Sequence, residues 1–234
     1  MHPVLVACSH GTASPEGQLA VARLVAAVAE RRPDLDVRAA FVDVQAPTPD
    51  DVLADLGDRA ARLVPLLLSA GYHVYVDLTR AAQATEAATL APALGPDDRL
   101  AALLRTRLQQ SGLQPDDRVV LAAAGSSEPS AVADCATVAT ALGHLIERPV
   151  TAAYLSAAEP SVADAVGHLR ASPGRIVVAT YLLAPGFFAD LAARAGADVV
   201  TAPLLLPDEQ PAEVLIDIVL ERYGQEAGAR GTGG

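Results

Sequence analysis

The chain has 234 residues, of which 51% are apolar but only 3% aromatic, and its formal net charge is −11. This length suits one large domain or two small ones, and either could bury a sizeable core. An acidic chain with few aromatic residues is unsuited to nucleic acids, which need clustered basic side chains and stacking platforms, and to anionic membrane surfaces. Cys8 and Cys135 lie in apolar contexts, and no apolar run reaches the roughly 18 residues of a membrane span. We therefore expect a soluble cytoplasmic protein that binds neither nucleic acid nor membrane.

Short β-branched runs alternate along the first half with longer segments of helical periodicity. The third of these runs is continuously hydrophobic, as expected for a strand of a parallel sheet that is covered on both faces. Alternation of this kind predicts an α/β protein with parallel sheets. The predicted strands are Val4–Cys8, Val37–Val44 and Leu63–Leu68, and the predicted helices are Pro15–Arg31, Pro49–Arg59 and Pro96–Gln110.

The second half of the chain repeats the first. Four segments recur in the same order, each displaced by about 113–115 positions, and a period this long indicates duplicated domains. We predict an N-terminal unit over residues 1–114, a C-terminal repeat over residues 115–227 and a flexible Gly-rich tail over residues 228–234. The matching segments begin at Val4 and Val119, at Val37 and Val150, at Arg62 and Arg175, and at Ala91 and Ala202.

Chemical differences between the two copies point to function. The polar member of each differing pair lies in the first half, at the carboxyl end of a predicted strand, where parallel sheets bind ligands. This pattern predicts an active first half and a degenerate second half that walls the cleft. The predicted pairs are His10 with Gly125, Ser9 with Ala124, Asp43 with Ser156, and His73 with Phe188.

The two histidines and Asp43 form a ligand set suited to a borderline divalent metal such as Fe, Co, Ni or Zn. Each histidine alone could be an ordinary loop residue, but both follow strands and both are replaced in the repeat. Ligands from separate loops favour an open catalytic site over a closed structural zinc site. Asp77, four residues after His73, either orients that ring or caps the helix that follows.

Three motifs follow one another along the first half: Ser9-His10-Gly11-Thr12, then Phe41-Val42-Asp43 with Ala46-Pro47, then Pro65 to Leu68 leading to Gly71-Tyr72-His73 with Asp77. Together they resemble the sirohydrochlorin chelatases, the ATP-independent class II chelatases of the long two-domain bacterial type. The resemblance implies a chelatase-like fold in which two α/β units face each other across a cleft. It also implies insertion of a divalent metal into a tetrapyrrole, with Fe²⁺ for sirohaem favoured over Co²⁺ for a cobalamin precursor, and with no organic cofactor.

By this resemblance His10 and His73 handle the metal, and Asp43, where many family members carry Glu, assists proton removal or metal delivery. Family members commonly carry Arg where Ala13 stands, so the substrate carboxylates are expected to be held by helix N–H groups or by Arg80. The expected assembly is a monomer whose two halves form an internal pseudo-dimer. The residues implied to bind the tetrapyrrole are Ser9, Gly11, Thr12, Gly71 and Tyr72, with an apolar wall from Leu183, Phe187 and Phe188.

Two other functions use similar residues. A metal or tetrapyrrole carrier without turnover would need the same ligands, and the sequence leaves this alternative open. A histidine phosphatase would need an arginine directly before the histidine, and Ser9 stands there instead.

Overall fold

The computed structural model describes residues 2–69 and 71–225, except that for residues 72–75 it describes the backbone and not the side chains. Within these ranges the chain forms two parallel four-stranded sheets flanked by helices, so the predicted α/β class with duplicated units is confirmed. The predicted flexible tail, residues 228–234, lies outside the described residues. No helix in the described ranges is long and apolar enough to cross a membrane.

The first sheet contains β1 (Val4–Ser9), β2 (Val37–Phe41), β3 (Ala61–Pro65) and β4 (Ala88–Leu90). Its strand order is β2-β1-β3-β4, and every pair is parallel. β1 is therefore central, with Cys8 opposite Ala40 on one side and Pro65 on the other. Since all strands run the same way, their carboxyl ends meet at one edge.

The helices of the first half are α1 (Pro15–Arg31), α2 (Pro49–Leu56), α3 (Tyr72–Gln83) and α4 (Asp98–Gln110). The predicted bounds of α1 are confirmed at both ends. Ser14 caps its first turn by accepting a hydrogen bond from the Gly17 N–H, and a proline fits the first helical position because it lacks an N–H. Thr48 and Asp51 form a reciprocal capping box at the start of α2.

Four other predicted elements have bounds that differ from the structure by two or three residues. β2 ends before Val44, whose φ of 65° is incompatible with a strand, and α2 ends where Gly57 adopts a φ of 57°. α4 begins at Asp98 because Asp97 is its cap. β3 covers Ala61–Pro65, and the apolar residues Leu66 to Leu68 belong to a largely buried loop.

The second half repeats this plan with β5 (Arg118–Ala123), β6 (Val150–Tyr154), β7 (Ile176–Tyr181) and β8 (Val199–Val200). The order β6-β5-β7-β8 is the order of the first sheet, again wholly parallel. The accompanying helices are α5 (Pro129–Leu145), α6 (Val162–Leu169), α7 (Phe187–Ala193) and α8 (Glu213–Gly224).

Backbone hydrogen bonds correct the predicted residue pairs at the first motif. The Asp43 N–H donates to the His10 carbonyl at 2.9 Å, and the Ser156 N–H donates to the Ala124 carbonyl at 3.0 Å. His10 therefore corresponds to Ala124 rather than to Gly125, and the pairing of Asp43 with Ser156 is retained.

The same shift pairs Ser9 with Ala123 rather than Ala124, because the Val42 and Leu155 N–H groups donate to the carbonyls of Ser9 and Ala123. Gly11 corresponds to Gly125, and both glycines adopt a positive φ, 94° and 95°. The prediction was wrong by one residue because it matched the letters of the two motifs and not the turn that requires glycine.

The two halves exchange helices. α4 packs against α5 and β7 of the second half, and α8 packs against α1 and β3 of the first. One hydrophobic cluster therefore spans both halves, with Leu5 and Leu24 in the same core as Leu121 and Leu142. Arg222 of α8 extends the exchange by donating to the carbonyls of residues 93 and 94, at 2.8 and 2.9 Å. The predicted division after residue 114 falls between α4 and β5 and stays a prediction.

Candidate functional site

A cavity of about 680 Å³ lies between the two sheets, at the carboxyl ends of β1, β3, β5 and β7. Both halves contribute its walls, as expected where parallel sheets present their strand ends. The predicted residues that line it are Ser9, His10, Gly11, Thr12 and Gly71 from the first half, with Leu183, Phe187 and Phe188 from the second.

The segment after β1 places an imidazole in the cavity wall. Ser9 is buried as the last residue of the strand, whereas His10 is exposed. Gly11 follows with a φ of 94°, and a Cβ at this position would lie 2.0 Å from the Asp43 carbonyl oxygen. Only glycine fits this turn, which fixes His10 at the end of the central strand.

Asp43 is held close to His10 through its backbone, but its side chain is directed elsewhere. Its Oδ1 accepts the Val44 N–H at 2.8 Å, and the residue is exposed and absent from the described cavity wall. Among the described side chains there is no cluster of three or more His, Cys, Asp or Glu that could hold a metal ion. The assignment of Asp43 to proton removal remains a prediction.

His73 and Tyr72 occupy the first two positions of α3, and their side chains lie outside the described residues. The backbone nevertheless supports the predicted pairing with the second half. Gly71 directly precedes α3, and Gly186 directly precedes α7. His73 and Phe188 are therefore the second residues of equivalent helices in the two halves. Asp77 lies inside α3 and so does not cap it.

The second-half wall is apolar and aromatic. The rings of Phe187 and Phe188 meet edge to face, with centroids 5.6 Å apart and planes at 66°. Phe187 is 67% exposed and lines the cavity, so its ring is accessible from the cavity.

Several residues of this wall were missed by the sequence analysis, which expected only apolar wall residues from the second half. They are Ser126, Ser127, Cys135, Ser156 and Tyr181. The correspondence of Ser126 with Thr12, visible once the two glycines are aligned, could have found the first of them.

The family model named CbiX matches residues 4–111 and 118–191, which is most of the chain. The chain belongs to the CbiX family. Its fold is similar to that of "SirB from Bacillus subtilis with Fe3+", with a TM-score of 0.77, 19% identity and coverage of 97% of this chain and 96% of that one.

Two further solved structures share the CbiX-family fold seen here. The sirohydrochlorin chelatase SirB from Bacillus subtilis subspecies spizizenii, in complex with cobalt, gives a TM-score of 0.71 at 18% identity, covering 97% of this chain and 96% of that one. DR2241 from Deinococcus radiodurans, a multi-domain protein with structural similarity to chelatases, gives a TM-score of 0.67 at 20% identity, and the match covers 97% of this chain and 56% of that one. Comparison with curated protein sequences gives no significant match.

No Lys, Arg, Asp or Glu is found among the described residues that line this CbiX-family cavity. Arg80, which the sequence suggested as a carboxylate-binding residue, instead pairs with Asp50 at 2.9 Å and lies outside the described lining. His10 is the one imidazole among the described lining residues. The described lining of the cavity therefore combines side chains without formal charge with one imidazole, a type of group that can bind a metal ion or accept a proton.

Two buried groups join the halves at this cavity. The Tyr181 hydroxyl donates to the Leu68 carbonyl at 2.8 Å, and burial raises the pKa of this phenol well above its usual value. Burial also raises the pKa of the Cys135 thiol to about 11, partly offset by a hydrogen bond with Ser69. Neither group is ionised near neutral pH, so both act as neutral contacts between the second half and the loop that precedes α3.

Proposed function

We propose that this CbiX-family protein inserts a divalent metal ion into sirohydrochlorin without ATP. The observation that carries the proposal is the cavity, in which the imidazole of His10 and the aromatic wall of Phe187 and Phe188 come from opposite halves. A volume of about 680 Å³ is within the range of small-molecule sites. A flat macrocycle can lie against an apolar wall while its metal-binding centre faces an imidazole.

Metal insertion into a tetrapyrrole requires that two inner N–H protons leave as the metal enters. In the proposed mechanism the imidazole of His10 first binds the incoming ion through its one basic nitrogen, and it accepts a proton from the macrocycle once the ion has moved to the pyrrole nitrogens. The second proton leaves to a second imidazole in the same way. His73 supplies the second imidazole, because its backbone lies in the first turn of α3, two residues after the lining residue Gly71. Asp43 assists proton removal from outside the described wall. The protein forms no covalent bond to the macrocycle, so positioning and proton acceptance are sufficient.

For the metal we propose Fe²⁺ as the favoured substrate, with Co²⁺ as the alternative. The SirB proteins of similar fold are described with Fe3+ and with cobalt. An imidazole site does not by itself select between these metals, because affinity follows the general order of the divalent ions.

We further propose that the chain acts as a cytoplasmic monomer, with residues 1–114 and 115–227 as an internal pseudo-dimer and no organic cofactor. The two buried, unpaired thiols of Cys8 and Cys135 fit a reducing compartment. Light scattering on a sizing column tests the assembly, and a mass near 48 kDa instead of 24.0 kDa would contradict the monomer.

The decisive experiment mixes the purified protein with sirohydrochlorin and Fe²⁺, Co²⁺ or Ni²⁺ and follows the absorption change of the macrocycle. We expect acceleration over the uncatalysed rate, and near-complete loss of it in His10→Ala and in His73→Ala. Phe188→Ala is the matched variant from the second half, and it should impair substrate fit more than metal affinity. Binding without acceleration would identify a carrier, and unchanged rates in both histidine variants would remove the assigned site.

A further inference from the structure

We propose that the second-half loop Gly125–Ser127, named here the Ser126 loop, binds a carboxylate of the tetrapyrrole through uncharged donors. This inference rests on the proposed function, because it concerns how the same cavity holds its substrate. Sirohydrochlorin carries many carboxylates, yet the described lining holds no Lys or Arg. The carboxylates that enter the cavity must therefore be met by neutral N–H and O–H groups.

The first half shows what the equivalent loop binds. There the Thr12 N–H donates to Oε1 of Gln45 at 2.9 Å, so a side-chain oxygen from another loop occupies the space in front of this N–H. Gly11, with a φ of 94°, sets the turn that exposes it. The first-half loop is thus an acceptor-binding site that the protein fills with its own carboxamide.

The second half keeps the turn but lacks the acceptor. Gly125 has a φ of 95°, and Ser126 corresponds to Thr12. Gln45 corresponds to Ala158, since the preceding residues Val44 and Ala157 share positive φ values of 65° and 56°. Alanine carries no acceptor, and the Ser126 N–H has no hydrogen-bond partner among the described residues.

The Ser126 loop, with its N–H that lacks an acceptor among the described residues, lies at the cavity wall. Ser126 and Ser127 both line it, and the Ser127 hydroxyl is exposed. The Ser126 hydroxyl oxygen accepts the Glu128 N–H at 3.1 Å, which leaves its own O–H free to donate. Glu128, the acidic residue that follows the loop, is not among the described lining residues. The Ser126 loop therefore offers one N–H and two hydroxyls at the cavity wall as donors to a carboxylate, without a cation.

Ala158→Gln tests the inference, because it supplies the second half with the acceptor that Gln45 gives the first. Ala158→Leu is the matched control, with a side chain of similar size and no acceptor. Binding of metal-free sirohydrochlorin is measured by absorption titration, which needs neither metal nor turnover. We expect Ala158→Gln to raise the Kd about tenfold and Ala158→Leu to raise it less than threefold.

An equal effect of the two variants, or no effect of Ala158→Gln, would overturn the subsite. If Ala158→Gln does not fold, Ser127→Ala tests the subsite instead. Ser127 is exposed, so this substitution removes the hydroxyl without a change in packing. That variant should raise the Kd about threefold, and an unchanged Kd would again overturn the subsite. A wild-type protein that does not bind sirohydrochlorin would instead refute the proposed function, so the two failures are distinguishable.

Discussion

Tyr181→Phe removes a single hydroxyl that joins the two halves beneath the cavity. The Tyr181 O–H donates to the Leu68 carbonyl at 2.8 Å, and the tyrosine is 2% exposed. The surrounding space is tight, since a Cβ at Gly95 would lie 2.2 Å from the same carbonyl oxygen and 2.5 Å from the hydroxyl. The gap left by the hydroxyl is smaller than a water molecule needs, so the carbonyl of Leu68 would lose its partner without replacement.

A buried acceptor without a partner costs about 1–3 kcal/mol, and we expect a loss of about 2 kcal/mol in the free energy of unfolding. For a chain of this size, this corresponds to a fall of roughly 4–8 °C in Tm. Because Leu68 lies in the cavity wall, we also expect a lower kcat for metal insertion. Urea unfolding and the absorption assay measure the two effects on the same samples.

Tyr154→Phe is the matched control. Its hydroxyl donates to the Val132 carbonyl at 3.2 Å within the second half, in a partly buried position, and the residue does not line the described cavity. We expect a loss of about 0.5–1 kcal/mol and an unchanged insertion rate. Equal losses of stability in the two variants, or an unchanged rate in Tyr181→Phe, would refute the argument that this hydroxyl couples the halves at the site.

Three further predictions concern charge and the aromatic wall. Arg175 holds the pKa of the Asp117 carboxyl below its usual value, so the ion pair stabilises the fold above pH ~4 and this stabilisation is lost as the pH falls through the lowered pKa. Asp117→Asn should lower the free energy of unfolding by about 2 kcal/mol at pH 7, with little added loss in acid, as measured by urea unfolding. Burial raises the pKa of Cys135 to about 11, so the free energy of unfolding should fall as the pH rises past ~9, where the thiol of the unfolded chain ionises. Cys135→Ala should make this fall with pH less steep, and an unchanged dependence on pH would contradict the argument. Phe187→Ala should leave stability within about 0.5 kcal/mol, because the ring is 67% exposed, and raise the KM for sirohydrochlorin several-fold; an unaltered KM would remove Phe187 from the substrate wall.

The sequence predicted those elements whose signals are local. The bounds of α1 follow from the Ser14 cap and the proline after it, and the alternation of apolar runs gave both parallel sheets. The exchange of α4 and α8 was not predicted, because periodicity shows which face of a helix is apolar but not which sheet covers it.

The candidate site was predicted in outline. Ser9 and His10 were expected at the carboxyl end of a strand, and they line the cavity. The serines of the second half were missed because a letter-by-letter match paired His10 with Gly125, which hid the correspondence between Thr12 and Ser126. Conformation, here the positive φ of Gly11 and Gly125, would have been a better guide to the register than residue identity.

The helix exchange explains how one half can lose its imidazole without being dispensable. The core that spans both halves is formed by residues such as Leu24 and Leu142, which lie on helix faces away from the cavity. Neither His10 nor its counterpart Ala124 belongs to this core, so the second half can carry alanine at this position without a change in the packing that joins the halves. Because α8 covers the sheet of the first half, removal of the second half would expose apolar surface on β3 and also take away one wall of the cavity. The halves therefore share one hydrophobic core, and in the proposed function the first half supplies the imidazole while the second supplies the surface that holds the substrate against it.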